Sequence, residues 1–226
     1  MTFVPERRRF LVQGAAAATA TFAAPAISYA NGRPRITHGL QSGDIGTDRA
    51  IVWARTDRPA QMAVEISTRE SFVGSKLVKG PNALAVGDYA AKLDLRGLPP
   101  GQTIFYRVRF DDLAAPKITG EAVTGRFKTG PATRQNITFV WSGDTAGQGW
   151  GINKDWGGMR GYAAMLKENP DFFIHSGDTI YADNPLTAEK KLPDGKIWKN
   201  VMTAEKSKVA ETMKEFRGNF KYNLLD

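Results

Sequence analysis

The sequence predicts two structural parts, an all-β sandwich over residues 31–130 and the start of an α/β domain over residues 135–226. Three observations lead to this division. Short strand-like runs separated by turn residues fill the first part. A short linker rich in Pro, Gly and polar residues follows at 130–135. Beyond the linker, two apolar runs flank a helix-length segment, which is the order expected of a parallel strand pair joined by a helix.

The strands of the first part are predicted from β-branched and aromatic residues. Alternation is clearest where Ile104, Tyr106, Val108 and Phe110 share one face of a strand. The segment 98–106, LPPGQTIFY, resembles the fibronectin type III pattern, in which a Tyr hydroxyl pins the loop between two strands. Tyr106 would be that residue. The predicted strands are Ala50–Arg55, Met62–Ser67, Tyr89–Leu95, Ile104–Phe110 and Gly125–Thr129, separated by turns that include Asp57-Arg58-Pro59 and Gly80-Pro81-Asn82.

Two carboxylates follow the two predicted strands of the second part. The runs Ile137–Trp141 and Phe172–His175 each lead into a Gly-Asp pair, which ends in Asp144 and Asp178 respectively. Ligands of open α/β sheets collect at the carboxyl ends of the strands, so both carboxylates should lie at one edge. Tyr181 follows three residues after the second Asp. Two carboxylates and a phenol are hard oxygen donors, and the stretch predicts a metal site.

Composition limits the kinds of site that are available. With no cysteine and two histidines, the chain has no disulfides or thiolate ligands, so a metal must take oxygen or imidazole donors. The net charge is +8, and without residues 1–30 it is still +6 (28 basic minus 22 acidic residues), which favours anionic substrates or surfaces. No basic patch interleaved with aromatic residues is evident, and no nucleic-acid partner is predicted.

Residues 1–30 are predicted to be an export signal. Arg7-Arg8-Arg9-Phe10-Leu11 resembles the twin-arginine motif, an Ala-rich apolar run follows, and Ser28-Tyr29-Ala30 resembles a cleavage site. The apolar run is too weakly apolar for a stable membrane span. We therefore expect the twin-arginine export machinery as a partner, a periplasmic or extracellular location, and no membrane span after signal removal.

Other candidate residues receive structural interpretations. Gly43-Asp44 repeats the Gly-Asp pair but precedes a polar turn, and it is read as turn chemistry. His38 and His175 are expected to pack rather than to bind metal. The segment 186–201 is predicted to be a loop with a turn, and 203–217 an amphipathic helix. Trp150 and Asn153 are expected to support the packing of the Gly-rich loop.

The metal-site residues resemble those of a known superfamily. Asp144 followed by Gly177-Asp178-Thr179-Ile180-Tyr181 is similar to the Asp…Gly-Asp-x-x-Tyr blocks of calcineurin-like metallophosphoesterases, in the form seen in purple acid phosphatases and PhoD-like alkaline phosphatases. The segments 38–44 with 50–56 and 217–222 resemble further PhoD-like elements. The sequence is thus identified as a member of the PhoD-like phosphatases.

The resemblance implies an exported phosphomonoesterase or phosphodiesterase, of the alkaline phosphatase D type, that uses a dinuclear-metal hydroxide. It implies a fibronectin type III-like sandwich before an α/β metallophosphatase (αββα sandwich) domain. Asp144, Asp178 and Tyr181 would be metal ligands, with Asp178 bridging, and phosphate esters the substrates. Fe(III) and Ca²⁺ are the implied metals, with Mn, Mg or Zn as alternatives. No catalytic or substrate-binding residue is assigned.

The chain departs from the family in its later motifs. It has no Asn/Asp-His-Glu block and no histidine after Tyr181. We therefore expect an N-terminal piece of a longer phosphatase, inactive or nearly so as a 226-residue chain. Two alternatives stay open. One is a non-catalytic exported binding protein with a vestigial metal loop, and the other is an enzyme similar to purple acid phosphatases.

Overall fold

The structure is a computed structural model that describes residues 32–145 and 147–226. The predicted signal, residues 1–30, lies outside this part. No helix within the described ranges is long and apolar enough to cross a membrane. The described strands are β1 (Ile36–Gly43), β2 (Arg49–Thr56), β3 (Ala60–Ser67), β4 (Lys76–Ala83), β5 (Ala90–Arg96), β6 (Thr103–Asp112), β7 (Val123–Lys128), β8 (Phe139–Ser142), β9 (Phe172–His175), β10 (Glu189–Lys191) and β11 (Ile197–Lys199), and the α-helices are α1 (Arg160–Lys167) and α2 (Met213–Tyr222).

The first seven strands form two antiparallel sheets. One has the order β1-β2-β5 and the other the order β4-β3-β6-β7. One face of each sheet contributes to a shared core of buried apolar side chains. The predicted β-sandwich is confirmed in this form, while the domain boundaries 31–130 and 135–226 stay predictions.

The core follows from the alternation along the central strands. In β2, every second residue from Ala50 to Thr56 is buried. In β6, Ile104, Tyr106, Val108 and Phe110 are buried in the same way, and the residues between them are more exposed. Because strand side chains alternate between faces, this pattern turns one face of each sheet inward.

Two strands of the sandwich, β1 and β4, were not predicted from the sequence. The interpretation of Gly80-Pro81-Asn82 as a turn was wrong, because these residues lie within β4. β4 is an edge strand, and its pairing with β3 shifts register at this point. Edge strands and bulges tolerate a Pro that lacks an N–H donor. In β1, Gly39 has a φ of +65° and the register with β2 also shifts, although half-buried and exposed residues still alternate along the strand.

The loop between β5 and β6 is pinned by Thr129 rather than by Tyr106. Tyr106 is buried against Phe127, and burial raises its pKa while a hydrogen bond with the Ser42 side chain opposes this. The Thr129 hydroxyl lies 2.7 Å from the Pro99 carbonyl oxygen and accepts from the Gln102 amide at 2.9 Å. The predicted role of Tyr106 was therefore wrong, and a buried threonine performs it.

Replacing Thr129 by valine is expected to destabilise the sandwich by about 1–3 kcal/mol, because the Gln102 amide loses its acceptor without gaining another. The free energy of unfolding in urea measures this. Thr124→Val is the matched control, since Thr124 is exposed in β7, the strand that Thr129 directly follows, and its effect should stay within about 0.5 kcal/mol. Equal effects of the two substitutions would refute the pinning role.

After the sandwich, β8 and β9 form a parallel pair with α1 between them in the chain. This is the predicted strand, helix, strand order. Burial on both faces is not observed, because two strands and one short helix offer little surface to cover them. Phe139 and Trp141 are 54% and 66% exposed. An ion pair between Lys128 and Asp171 at 2.8 Å ties the start of this pair to β7.

The last helix differs from its prediction. A helix was expected over 203–217, but the chain forms a short 3-10 turn at Glu205–Ser207 and then α2. Thr212 and Glu215 form a capping box, which fixes the start of α2 at Met213. The segment 186–201, predicted to be a loop, contains the small antiparallel hairpin β10–β11.

Candidate metal centre

The parallel pairing brings the two Gly-Asp pairs together. Ser142 pairs with His175, so both strands end at the same edge. The Asp144 carboxylate accepts from the Asp178 amide at 3.0 Å, and the Thr145 amide donates to the Asp178 carbonyl at 2.8 Å. The predicted juxtaposition of these two loops is therefore what the structure shows.

Tyr181 completes the cluster. Its hydroxyl donates to the second oxygen of the Asp144 carboxylate. This hydrogen bond, together with desolvation and the negative charges of Asp144 and Asp178, raises the pKa of Tyr181 to about 12. Hydrogen bonds from Tyr181 and from the Asp178 amide lower the pKa of Asp144. The carboxylates of Asp144 and Asp178 thus lie beside the Tyr181 phenol oxygen, and together the three side chains form one cluster of oxygen groups.

Two glycines make room for this arrangement. A Cβ at Gly177 would collide with the Asp144 carboxylate and lie 2.7 Å from the Asp144 amide nitrogen. A Cβ at Gly147 would overlap the Tyr181 ring, 2.5 Å from Cγ. Gly143, in the first Gly-Asp pair, has open space at the same position. Only the second Gly-Asp pair therefore requires glycine for steric reasons.

A hydrogen-bond network centred on Thr145 links the first Asp loop to the neighbouring helix and strand. Thr145 is buried, with 7% of the residue exposed. Its hydroxyl lies 2.7 Å from the Tyr162 hydroxyl and 3.0 Å from His175 Nε2. Tyr162 belongs to α1 and His175 to β9, so the network joins the helix, the strand and the first Asp loop. His175 thus packs and positions, in agreement with its structural interpretation. Thr145 and Tyr162 were not identified from sequence, since hydroxyl residues in these places carry no distinctive pattern.

Three further polar or aromatic residues have structural roles. Asp44 follows β1 with a φ of 49° and forms an ion pair with Arg49 at 3.0 Å, as expected of a turn. Asn219 is buried and donates to the Glu215 carbonyl at 3.0 Å. Trp150 packs edge-on against Trp198.

Asn153 is a buried member of the Gly-rich loop. Only 1% of it is exposed, and within the described residues its side-chain amide has no hydrogen-bond partner. Its backbone carbonyl instead accepts from the Gly158 amide at 3.0 Å. The structure thus gives it a packing position in the loop, in line with the sequence interpretation.

The cluster offers oxygen donors of the kind that hard cations prefer, but only three side chains supply them. Asp144, Asp178 and Tyr181 offer oxygen donors, which suit Fe(III), Ca²⁺, Mg²⁺ and Mn²⁺. Over 32–145 and 147–226, no group of three or more His, Asp or Glu side chains is close enough to hold a metal ion. The fit therefore depends on the phenol oxygen as the third donor.

Comparisons with known proteins follow the same division of the chain. The fold places the chain among proteins in which a β-sandwich is followed by a parallel βαβ unit. Residues 18–131 match the family model of the PhoD-like phosphatase N-terminal domain, and residues 139–226 match that of the PhoD-like phosphatase. The chain belongs to the PhoD-like phosphatase family. No curated protein sequence matches it.

One solved structure agrees with this assignment at the level of the fold. The chain is similar to the structure of PhoD, with a TM-score of 0.63 and 24% identity over 89% of this chain and 36% of that chain. It thus spans about a third of that protein's length. The fibronectin type-III domain of human fibronectin type III domain containing protein 3 aligns with a TM-score of 0.34 and 11% identity, over 48% of this chain and 94% of that chain.

Proposed function

We propose that this chain contributes part of the metal centre of an exported phosphomonoesterase or phosphodiesterase of the alkaline phosphatase D type. The observation that carries the proposal is the convergence of Asp144, Asp178 and Tyr181 at one edge of the β8–β9 pair. Family membership supports the reaction class. The proposal includes a fibronectin type III-like sandwich, the start of an α/β metallophosphatase domain after it, and twin-arginine export directed by residues 1–30.

Asp144, Asp178 and Tyr181 would hold the metal, with Fe(III) and Ca²⁺ as the first candidates and Mn, Mg or Zn as alternatives. When bound, a dinuclear centre supplies an activated water and neutralises charge on the phosphate oxygens. The Tyr181 hydroxyl donates its hydrogen bond to Asp144, so this proton must leave to solvent for the phenol oxygen to become a ligand. Asp144 would itself stay ionised as a ligand, in keeping with its lowered pKa.

The chain's other residues orient these donors. The Asp178 amide fixes one carboxylate oxygen of Asp144, and the Thr145 amide fixes the Asp178 backbone. The Thr145 hydroxyl is held in turn by Tyr162 and His175. Outer-shell hydrogen bonds of this kind orient ligands and raise metal affinity. The excess of basic residues over the whole chain favours the approach of a phosphate ester.

Metal binding tests the proposal directly. The chain should bind Fe(III) with a visible absorption band from charge transfer between the phenolate and iron. Tyr181→Phe should remove the band, and Asp144→Asn should weaken binding beyond the roughly tenfold to hundredfold typical of outer-shell changes. Asp44→Asn is the matched control and should change neither. A band that survives Tyr181→Phe would rule out the assignment.

Hydrolysis by this chain alone is expected to stay near background. Dinuclear sites use several ligands for each ion, whereas the cluster in the described residues offers three side chains, Asp144, Asp178 and Tyr181. Release of p-nitrophenol from p-nitrophenyl phosphate, with iron and calcium added, measures this. Clear turnover that Asp144→Asn abolishes would show that the chain holds a working centre and would contradict the expectation.

A further inference from the structure

Lys206 is a buried lysine that contacts the loop carrying Tyr181. It is 5% exposed, and its ammonium donates to the Tyr181 carbonyl oxygen at 3.0 Å. The same ammonium lies 5.6 Å from the centre of the Tyr222 ring. Burial lowers the pKa of Lys206, and the negative charge of Asp183 opposes this. A buried ammonium has lost its contacts with water and needs other partners. The Tyr181 carbonyl oxygen and the Tyr222 ring provide them, and they fix the position of the Lys206 side chain.

The backbone around Lys206 contacts the same loop. Two backbone hydrogen bonds link segment 203–210 to this loop. The Leu186 amide donates to the Lys206 carbonyl at 2.7 Å, and the Ala210 amide donates to the Ala182 carbonyl at 2.8 Å. Hydrogen bonds therefore join segment 203–210 to the residues that follow Asp178 at three points, residues 181, 182 and 186. Sequence alone gave no indication of this, because residues 181 and 206 are brought together only by the fold.

Helix α2 anchors segment 203–210 from the other side. The Asn219 amide group donates to the Glu205 carbonyl at 3.3 Å, and a Cβ at Gly218 would collide with the Glu205 side chain. The Tyr222 hydroxyl donates to the Val201 carbonyl at 2.9 Å just before this segment. Segment 203–210 is thus fixed between α2 and the loop that carries Tyr181.

We propose that Lys206 is a positioning residue for the metal centre, which holds the backbone of Tyr181 so that its phenol oxygen faces Asp144 and Asp178 before a metal binds. This inference rests on the proposed metal site. The ammonium acts through the Tyr181 carbonyl and does not touch the phenol oxygen. Without it, the loop backbone gains freedom that metal binding must remove again, which lowers affinity.

The test compares Lys206→Met, which keeps the length and apolar stem, with Lys206→Arg, which keeps a charged donor. Lys214→Met is the matched control, since Lys214 is exposed on α2. Lys206→Met should weaken Fe(III) binding about tenfold to a hundredfold. Lys206→Arg should recover part of this loss, and the control should bind like the wild type.

Amide hydrogen exchange on the metal-free protein provides a second readout. In Lys206→Met, the amides of Asp178 and Leu186 should exchange at least about tenfold faster, while those of Val108 and its neighbours in β6 stay unchanged. Unchanged exchange and unchanged affinity would overturn the role of Lys206. If the wild type binds no iron, the proposed function fails, whereas faster exchange would still show that Lys206 positions Tyr181. If Lys206→Met does not fold, Lys206→Gln is measured in the same way.

Discussion

Replacing Gly177 by alanine is expected to weaken metal binding on the order of a hundredfold while the sandwich stays folded. The new methyl group would collide with the Asp144 carboxylate and approach the Gly143 carbonyl carbon to 2.8 Å. Backbone atoms cannot move aside as a flexible side chain does, so the two Asp loops must separate. Titration of Fe(III) into the variant measures the loss.

Gly143→Ala is the matched control for this experiment. It makes the same chemical change in the other Gly-Asp pair, where nothing lies within 4 Å of the new methyl group. Near wild-type affinity is expected. If both variants lose affinity equally, the loss reflects the flexibility of glycine before Asp rather than the close approach of the loops, and our account of the site would be wrong.

Replacing Phe110 by alanine should destabilise the sandwich by about 3–5 kcal/mol, the largest stability effect that we expect. Phe110 is 1% exposed and lies within the core shared by the two sheets. Truncation removes its apolar contacts and leaves a cavity that a close-packed sandwich can fill only in part. Urea denaturation followed by far-UV circular dichroism measures the change in the free energy of unfolding.

Val73→Ala provides the comparison for the core. Val73 is 63% exposed in the turn before β4, and its truncation should change stability by less than about 0.5 kcal/mol. A loss below about 1 kcal/mol for Phe110→Ala would mean that the two sheets do not share the core described above.

The sandwich was predictable where its strands alternate regularly. The 104–110 run gave both the strand and its buried face. β4 was not predictable in the same way, because Gly80-Pro81-Asn82 has the composition of a turn and only its edge position allows it to be a strand. The start of α2 was predicted too early, because apolar residues at helical spacing continue on the N-terminal side of the Thr212 cap.

The candidate site was predictable to the extent that it is local. Strand ends located Asp144 and Asp178, and Tyr181 follows three residues later. The groups that position them come from distant parts of the chain. Lys206 reaches Tyr181 across 25 residues, and Thr145 meets His175 across 30. Such contacts depend on tertiary packing, which local patterns do not encode.

The most direct measurement is a crystal structure of the chain soaked with iron, with the metal located by anomalous diffraction. We expect an iron atom within about 2.0–2.5 Å of the Tyr181 phenol oxygen and of carboxylate oxygens from Asp144 and Asp178. Iron bound elsewhere, for example at Asp44, with the Tyr181 hydroxyl still donating to Asp144, would contradict this expectation.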